Sequence, residues 1–130
     1  DAANHRIFAS CASKVMAVMD AESGKELATL PIDQGSDGAA FDPGLGLAFS
    51  SNFTGTLSAV SEKSPSNFAA LPSIPTQFGA RTMTLDPKTH RIYTVAADIT
   101  VDETAAPADY RHRFHTTPGT TRLLFLDPVK

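Results

Sequence analysis

One short segment of the sequence combines aromatic with cationic side chains. Its residues are Tyr110, Arg111, His112, Arg113, Phe114 and His115. Aromatic rings can stack on bases while Arg side chains neutralise phosphates, a combination typical of proteins that bind single-stranded nucleic acid. The acidic stretch from Asp98 to Glu103 and the net charge of −3 oppose that function. The segment is therefore a hypothesis for a nucleic-acid contact, and a polar solvent-exposed loop is the alternative.

The same region raises the question of a metal site. Its oxygen and imidazole side chains belong to Asp98, Asp102, Glu103, Asp109, His112 and His115. His112 and His115 lie three residues apart, but Arg111 and Arg113 are adjacent and would repel a cation. The sequence contains no compact frame of Cys and His ligands. We therefore predict no metal ligand here.

The overall charge balance gives no general attraction to polyanions. With a net charge of −3 and a sequence pI near 5.7, the chain has no global electrostatic drive toward nucleic acid or an anionic membrane. No apolar run is long enough to cross a bilayer, and none resembles a signal peptide. The single cysteine, Cys11, cannot form an internal disulfide, so sheet packing must supply the stability.

A repeat of about 40 residues organises the chain. Runs of ten residues that begin at Asp1, Asp42 and Asp86 align without gaps, at spacings of 41 and 44 residues. Each run combines an Asp-led turn with a short segment rich in β-formers. The Asp carboxylate can accept hydrogen bonds from the backbone N–H groups that follow it, while Pro43 and Pro87 fix φ at the next position. We interpret the three aspartates as hairpin formers.

A second apolar run follows each Asp-led turn. It ends at Asp20 in the first repeat and at Ser61 in the second, 19 residues after the leading Asp in each case. In the third repeat it ends at Asp127, 41 residues after the leading Asp. An insertion of 22 residues therefore interrupts the third repeat.

The repeats predict an all-β fold. Strands are expected near 6–10, 14–19 and 26–32 in the first repeat (1–34), near 37–41, 46–51, 56–61 and 67–73 in the second (35–75), and near 80–85, 91–96 and 121–127 in the third (76–130), with the insertion at 98–121. No segment has a sustained helical period. Repeats of this kind stack as blades around an axis. We predict a β-propeller fragment of about two and a half four-stranded antiparallel blades, in which the first blade lacks its first strand and the third lacks its last.

A propeller scaffold raises an enzymatic alternative, because lactonases and quinone-dependent dehydrogenases use it. Such a site needs acidic and His residues that converge from several blades, and the candidates are His5, His90, Glu22 and Glu62. His5 and His90 occupy equivalent turn positions, which favours a structural role. The sequence contains no Gly-x-Ser-x-Gly, His-Glu-x-x-His or phosphate-loop motif. We therefore predict no catalytic residue and no cofactor.

Arg81 is the remaining candidate for a ligand contact. It leads into the inner strand of the third blade, where side chains at strand ends can reach the axial channel. Its functional interpretation is a contact with an anion or partner at the channel mouth. Its structural interpretation is an Arg bonded to loop carbonyls between blades.

Three stretches carry a resemblance to a known family. Lys14 to Ile32 resembles the strand–Asp–x–x–(Thr/Ser)–Gly–Lys–strand element of YncE-like (YVTN-repeat) seven-bladed propellers. Gly35 to Ser51 is similar to the next turn of that pattern, and Thr76 to Tyr93 resembles the final blade. Together these stretches cover nearly the whole chain apart from the insertion.

The resemblance implies a bacterial, commonly exported protein, periplasmic or secreted, without an established catalytic motif. It implies a non-catalytic binding or scaffold function, and one family member binds single-stranded DNA. The implied partners are the remaining blades of a full propeller and a protein or small-molecule ligand. The chain starts inside a blade and stops after a third strand, so we expect an N-terminally truncated piece whose C-terminal end is close to the natural one. We also expect the insertion to be the most protease-sensitive segment.

Overall fold

Short runs of apolar and β-branched residues, separated by turns rich in Asp, Gly and Pro, form strands along the chain. The computed structural model describes residues 1–105 and 112–128. The strands there are β1 (Arg6–Cys11), β2 (Val15–Asp20), β3 (Glu26–Pro31), β4 (Ser36–Asp42), β5 (Leu47–Asn52), β6 (Thr56–Ser64), β7 (Asn67–Ala70), β8 (Ile74–Pro75), β9 (Arg81–Asp86), β10 (Arg91–Ala96), β11 (Ile99–Val101), β12 (Phe114–Thr116) and β13 (Arg122–Leu126). No α-helix forms within these residues, which confirms the all-β prediction.

The strands form three successive antiparallel blades. Blade 1 is the sheet β1-β2-β3, blade 2 is β4-β5-β6-β7, and blade 3 is β9-β10-β13. Inner strands β4 and β9 lie side by side, and blade 2 is enclosed between the other two blades. The described chain is thus a β-propeller fragment that is not closed, as predicted.

The structure differs from the predicted strands in two places. The strand expected at 67–73 is divided: β7 pairs with one half of β6, and β8 pairs with the other half. Pro72 lies at the break, where it has no N–H to donate to β6. The second difference lies within the insertion, where β11 pairs with β12 and places Val101 opposite Phe114.

Two apolar cores lie between the blades. The first joins Met16 and Ile32 of blade 1 to Ala48 and Val60 of blade 2, with Phe8, Leu30, Phe41 and Phe68 packed around them. The second joins Phe49, Leu57 and Ala59 of blade 2 to Ile92 of blade 3, with Leu47, Met83, Leu85 and Leu126 around them. Because side chains alternate along a strand, each blade has one apolar face for each neighbour.

The three leading aspartates form the predicted turns. The bonds run from Ala3 N–H to Asp1 Oδ1 (2.9 Å), from Gly44 N–H to Asp42 Oδ1 (2.9 Å) and from Lys88 N–H to Asp86 Oδ1 (3.0 Å). The fourth residue after each Asp has a positive φ: 55° at His5, 62° at Gly46 and 61° at His90. His5 and His90 therefore occupy the same left-handed backbone position of the turn, which Gly46 occupies in the middle repeat. This shared position explains why the His is repeated.

Strand direction gives the blades two distinct edges. The turn edge holds the three Asp-led turns, 1–5, 42–46 and 86–90. The loop edge holds the segments 11–14, 53–55 and 76–80 together with the insertion. Residues far apart in the sequence therefore meet at the loop edge.

Candidate functional site

Three phenylalanines from three segments meet at the loop edge, and we call them the phenylalanine cluster. Phe53 lies in the β5–β6 turn, Phe78 in the connection from β8 to β9, and Phe114 in β12. The ring centroid of Phe53 lies 4.9 Å from that of Phe78 and 5.0 Å from that of Phe114, edge to face in both cases. At these distances aromatic rings attract one another.

Backbone hydrogen bonds fasten the segments that carry Phe53 and Phe78. Thr76 N–H donates to the carbonyl of Gly55 and Gly79 N–H to the carbonyl of Phe53, each at 2.8 Å. Gly79 has a φ of 83°, and a Cβ there would lie 2.7 Å from Cγ1 of Ile99. Glycine at this position therefore lets the β11–β12 pair approach the cluster.

A polar clamp holds the base of the insertion. The Arg122 guanidinium donates to Asp98 Oδ1 at 2.7 Å and to Gln77 Oε1 at 3.1 Å. The Gln77 amide in turn donates to the carbonyl of Ala97 at 3.2 Å. Thr120 Oγ1 accepts the N–H of Asp98 at 2.9 Å. The insertion is thus tied to the same connection that carries Phe78.

Arg81 extends from the start of β9 over the cluster. Its Cζ lies 5.6 Å from the centroid of the Phe53 ring, within the range of a cation–π interaction. The side chain is exposed, and within the described residues it forms no bond to a loop carbonyl. Arg81 presents its charge to solvent beside aromatic rings.

The predicted aromatic and basic segment divides in the structure. Phe114 joins the cluster, while Arg113 lies 3.5 Å from the Glu103 carboxylate. His115 stands in β12 opposite Thr100, and His112 is exposed. Tyr110 and Arg111 lie outside the described residues. Of the predicted site residues, Arg81 and Phe114 are the two that meet around Phe53.

The candidate metal ligands have other partners. Asp98 and Glu103 each pair with an Arg. Asp102 Oδ1 accepts hydrogen bonds from the hydroxyl of Thr104 and, at 2.8 Å, from the N–H of Thr104. These two bonds hold the pKa of Asp102 below its usual range. Asp109 lies outside the described residues. In the described part of the chain no three His, Cys, Asp or Glu side chains converge as a metal site.

The candidate catalytic residues lie at the opposite, turn edge. His5 Nδ1 lies 3.0 Å from the Glu22 carboxylate, and both side chains are exposed. His90 Nδ1 lies 2.8 Å from the buried Asp42 carboxylate, while Glu62 accepts a bond from an Asn side chain. His5 pairs with Glu22 within blade 1, whereas His90 and Glu62 each contact a residue of a neighbouring blade, so the four candidates form three separate contacts.

Sequence reasoning missed Phe53 and Phe78. Both lie between predicted strands, where a large apolar side chain needs an explanation. Phe78 remains 43% exposed although it packs against the other two rings. An aromatic residue in each of two turns at the same edge was the signal that could have revealed the cluster.

The chain matches no protein-family model, and it matches no curated protein. The described residues also contain no helix with the length and apolar character needed to span a membrane. The fold therefore defines the class, a β-propeller fragment, and the loop edge holds its candidate functional site.

Proposed function

We propose that this chain is a non-catalytic binding segment of a β-propeller similar to the YncE-like family, and that its ligand contacts lie at the phenylalanine cluster. The position of the exposed Arg81 guanidinium over the Phe53 ring carries this proposal. A cation next to partly exposed aromatic rings suits a ligand with an anionic group beside a flat apolar part. A small molecule or an exposed protein segment can supply both features.

Binding is preferred to catalysis because of where the reactive groups lie. The His and Glu candidates occupy the turn edge as separate pairs, on the opposite side of the blades from Arg81. General acid–base chemistry needs such groups within hydrogen-bond reach of one substrate. The loop edge offers stacking surface and positive charge, which favour recognition.

Single-stranded DNA is the second candidate ligand. One contact favours it: Phe114, from the aromatic and basic segment, packs against Phe53, the ring over which Arg81 lies. Bases stack on aromatic side chains at about 1–3 kcal/mol each, and Arg neutralises phosphate. The net charge of −3 limits this interaction to a local patch.

The remaining blades of a closed propeller are proposed as structural partners, and a periplasmic or secreted location is proposed with them. Both rest on the family resemblance of the three stretches described above. Sheets of this kind share stability with their neighbours, so each blade contributes to the rigidity of the loop edge.

Titration with naphthalene-2-sulfonate, a flat aromatic anion, tests the proposed site. We expect amide chemical-shift changes in NMR spectra to concentrate at 53–55 and 76–81. Arg81→Gln should weaken binding by up to about fivefold, because it removes an exposed ion pair between the guanidinium and the sulfonate, worth up to about 1 kcal/mol. Arg91→Gln is the matched control, since its guanidinium also lies over a Phe ring, at 5.5 Å, but near the turn edge. Equal effects of the two variants, or shifts centred on the turn edge, would overturn the proposal.

Fluorescence anisotropy with a labelled oligothymidine separates the second candidate from the first. DNA binding through phosphates should weaken steeply with salt, with a log–log slope of about −0.7 for each phosphate neutralised. Phe78→Ala should cost a stacking contact, and Arg81→Gln should make the slope shallower by about one phosphate. Binding of the sulfonate without binding of the oligonucleotide would support the first candidate alone.

A further inference from the structure

The outer face of blade 3 is apolar and exposed. Leu123 is 48% exposed, Phe125 is 56% exposed and Val95 is 43% exposed, although all three lie in regular strands. The Tyr93 ring packs edge to face on Phe125 with centroids 5.5 Å apart. Contiguous apolar surface of this kind marks an interaction site on a folded domain. We call these four residues the forward face of blade 3.

The repeat shows what this face does in the other blades. Aligned on the Asp-led turns and on the runs that end at Asp20, Ser61 and Asp127, the residues equivalent to Tyr93, Leu123 and Phe125 are Phe8, Met16 and Val18 in blade 1 and Phe49, Leu57 and Ala59 in blade 2. Val95 corresponds to Ser10 and Ser51. Met16 and Leu57 are 0% and 1% exposed, and each packs against the following blade. In blade 3 the same position is Leu123. The forward face is therefore an interblade surface within this chain.

The covering surface is also present in this chain. Blades 2 and 3 cover the preceding blade with a rear face, which includes Ala48, Val60 and Phe68 in blade 2 and Ile92 and Leu126 in blade 3. The equivalent residues of blade 1 are Ile7, Met19 and Leu27. Ile7 is 49% exposed and Leu27 is 36% exposed. Blade 1 thus presents an apolar rear face to solvent.

We propose that a second copy of this chain supplies the adjoining blades, an inference that rests on the proposed propeller partners: two copies associate head to tail, with the forward face of blade 3 in one copy packed on the rear face of blade 1 in the next. The two interfaces inside the chain are both of this forward-to-rear kind, so the proposed contact continues an arrangement that the sequence already forms twice. Burial of these side chains removes apolar surface from water, which drives association. The contact is heterologous, so repeated addition gives a closed ring or an open chain of copies.

Paired variants test the proposal in the full 130-residue chain by sedimentation velocity. Leu123→Asp/Phe125→Asp blocks the forward face, and Ile7→Asp/Leu27→Asp blocks the rear face. Each blocked variant alone should sediment as a monomer, while the unmodified chain should form larger species with rising concentration. A mixture of the two should give a 1:1 dimer that grows no further, because each variant retains one intact face of the opposite kind. Leu45→Asp is the control; Leu45 is 43% exposed in the β4–β5 turn, outside both faces, and this variant should associate as the unmodified chain does.

Three results would overturn the proposal. A monomeric unmodified chain would mean that the faces do not bind a second copy and are covered by some other blade. Self-association of either blocked variant alone would indicate contact between like faces. A mixture that stays monomeric, while circular dichroism shows both variants folded, would show that the two faces are not complementary.

Discussion

His90 Nδ1 lies 2.8 Å from Oδ2 of Asp42, and this pair joins the Asp-led turn of blade 3 to that of blade 2. The Asp42 side chain is wholly buried and also accepts the N–H groups of Gly44 and Leu45 through Oδ1. The carboxylate therefore stabilises its own turn through Oδ1 and contacts His90 of the neighbouring blade through Oδ2. A buried carboxylate requires such partners, because an unpaired charge away from water is costly.

Position 44 should require glycine, because the His90 ring lies close to it. A Cβ at position 44 would lie 2.6 Å from His90 Cε1, so Gly44→Ala must displace the ring and should destabilise the chain by about 1–3 kcal/mol. His90→Gly copies the residue at Gly46, suits the positive φ and removes the ring. In Gly44→Ala/His90→Gly the alanine should cost much less than it does alone. Urea denaturation of all four proteins measures the coupling, and additive effects would contradict this account.

Acid should weaken the Asp-led turns. Hydrogen bonds from Lys88 N–H and the Thr89 hydroxyl hold the pKa of Asp86 below its usual value, and the bond from Arg91 does the same for Asp127. A carboxyl whose pKa is lower in the folded state stabilises the fold above the unfolded pKa of about 3.9 and loses that contribution as pH falls. We expect the Tm to fall between about pH 5 and pH 3.

The variant Asp86→Asn isolates one of these contributions. An Asn oxygen can still accept the Lys88 N–H, but it does not titrate. The variant should therefore have a lower Tm at pH 7 and a smaller decrease in Tm on acidification than the unmodified chain. Acid sensitivity equal to that of the unmodified chain would show that Asp86 contributes little to the pH dependence.

The repeat made most strands predictable, because each strand follows a turn whose Asp, Pro and Gly have local chemical reasons. β1, β5 and β10 all begin five residues after a leading Asp. The division of the fourth strand at Pro72 was missed because apolar residues lie on both sides of it, Leu71 before and Ile74 after. The phenylalanine cluster depended on contacts between distant segments. Phe114 reaches Phe53 through pairing of Val101 with Phe114 inside an insertion that has no counterpart in the other repeats.

The Arg122 clamp should restrain the insertion without governing global stability. Arg122→Gln removes the ion pair with Asp98. The Arg122 side chain is 44% exposed and the Asp98 side chain 55%, and exposed ion pairs contribute about 0–1 kcal/mol to stability. We expect faster hydrogen exchange at the amides of Asp102 and Thr117. Their N–H groups donate to the carbonyls of Arg113 and Asp98, which join the two sides of the insertion. The urea midpoint should change little. Arg91→Gln removes a comparably exposed pair elsewhere, and should leave exchange in the insertion unaltered. Faster exchange in both variants would count against a local clamp.

Thr82 stores backbone strain beside Arg81. Its φ is 58°, a conformation that a β-branched residue rarely adopts. Its N–H and hydroxyl both donate to Asp37 Oδ2, at 2.8 and 3.0 Å. Thr82→Gly should relieve about 1–2 kcal/mol of strain, lose one hydrogen bond worth about 1 kcal/mol and add the cost of Gly in a strand, up to about 1 kcal/mol, so stability should change by no more than about 1 kcal/mol.

Thr84 provides the matched control for this prediction, since it is an exposed Thr in the same strand that lacks the positive φ. Thr84→Gly gains no relief and should cost up to about 1 kcal/mol, because Gly is disfavoured in strands. The difference between the two urea-derived free energies of unfolding measures the strain at Thr82 less the contribution of the lost hydrogen bond to Asp37. A cost for Thr82→Gly equal to or above that for Thr84→Gly would mean that the bonds to Asp37 outweigh the strain.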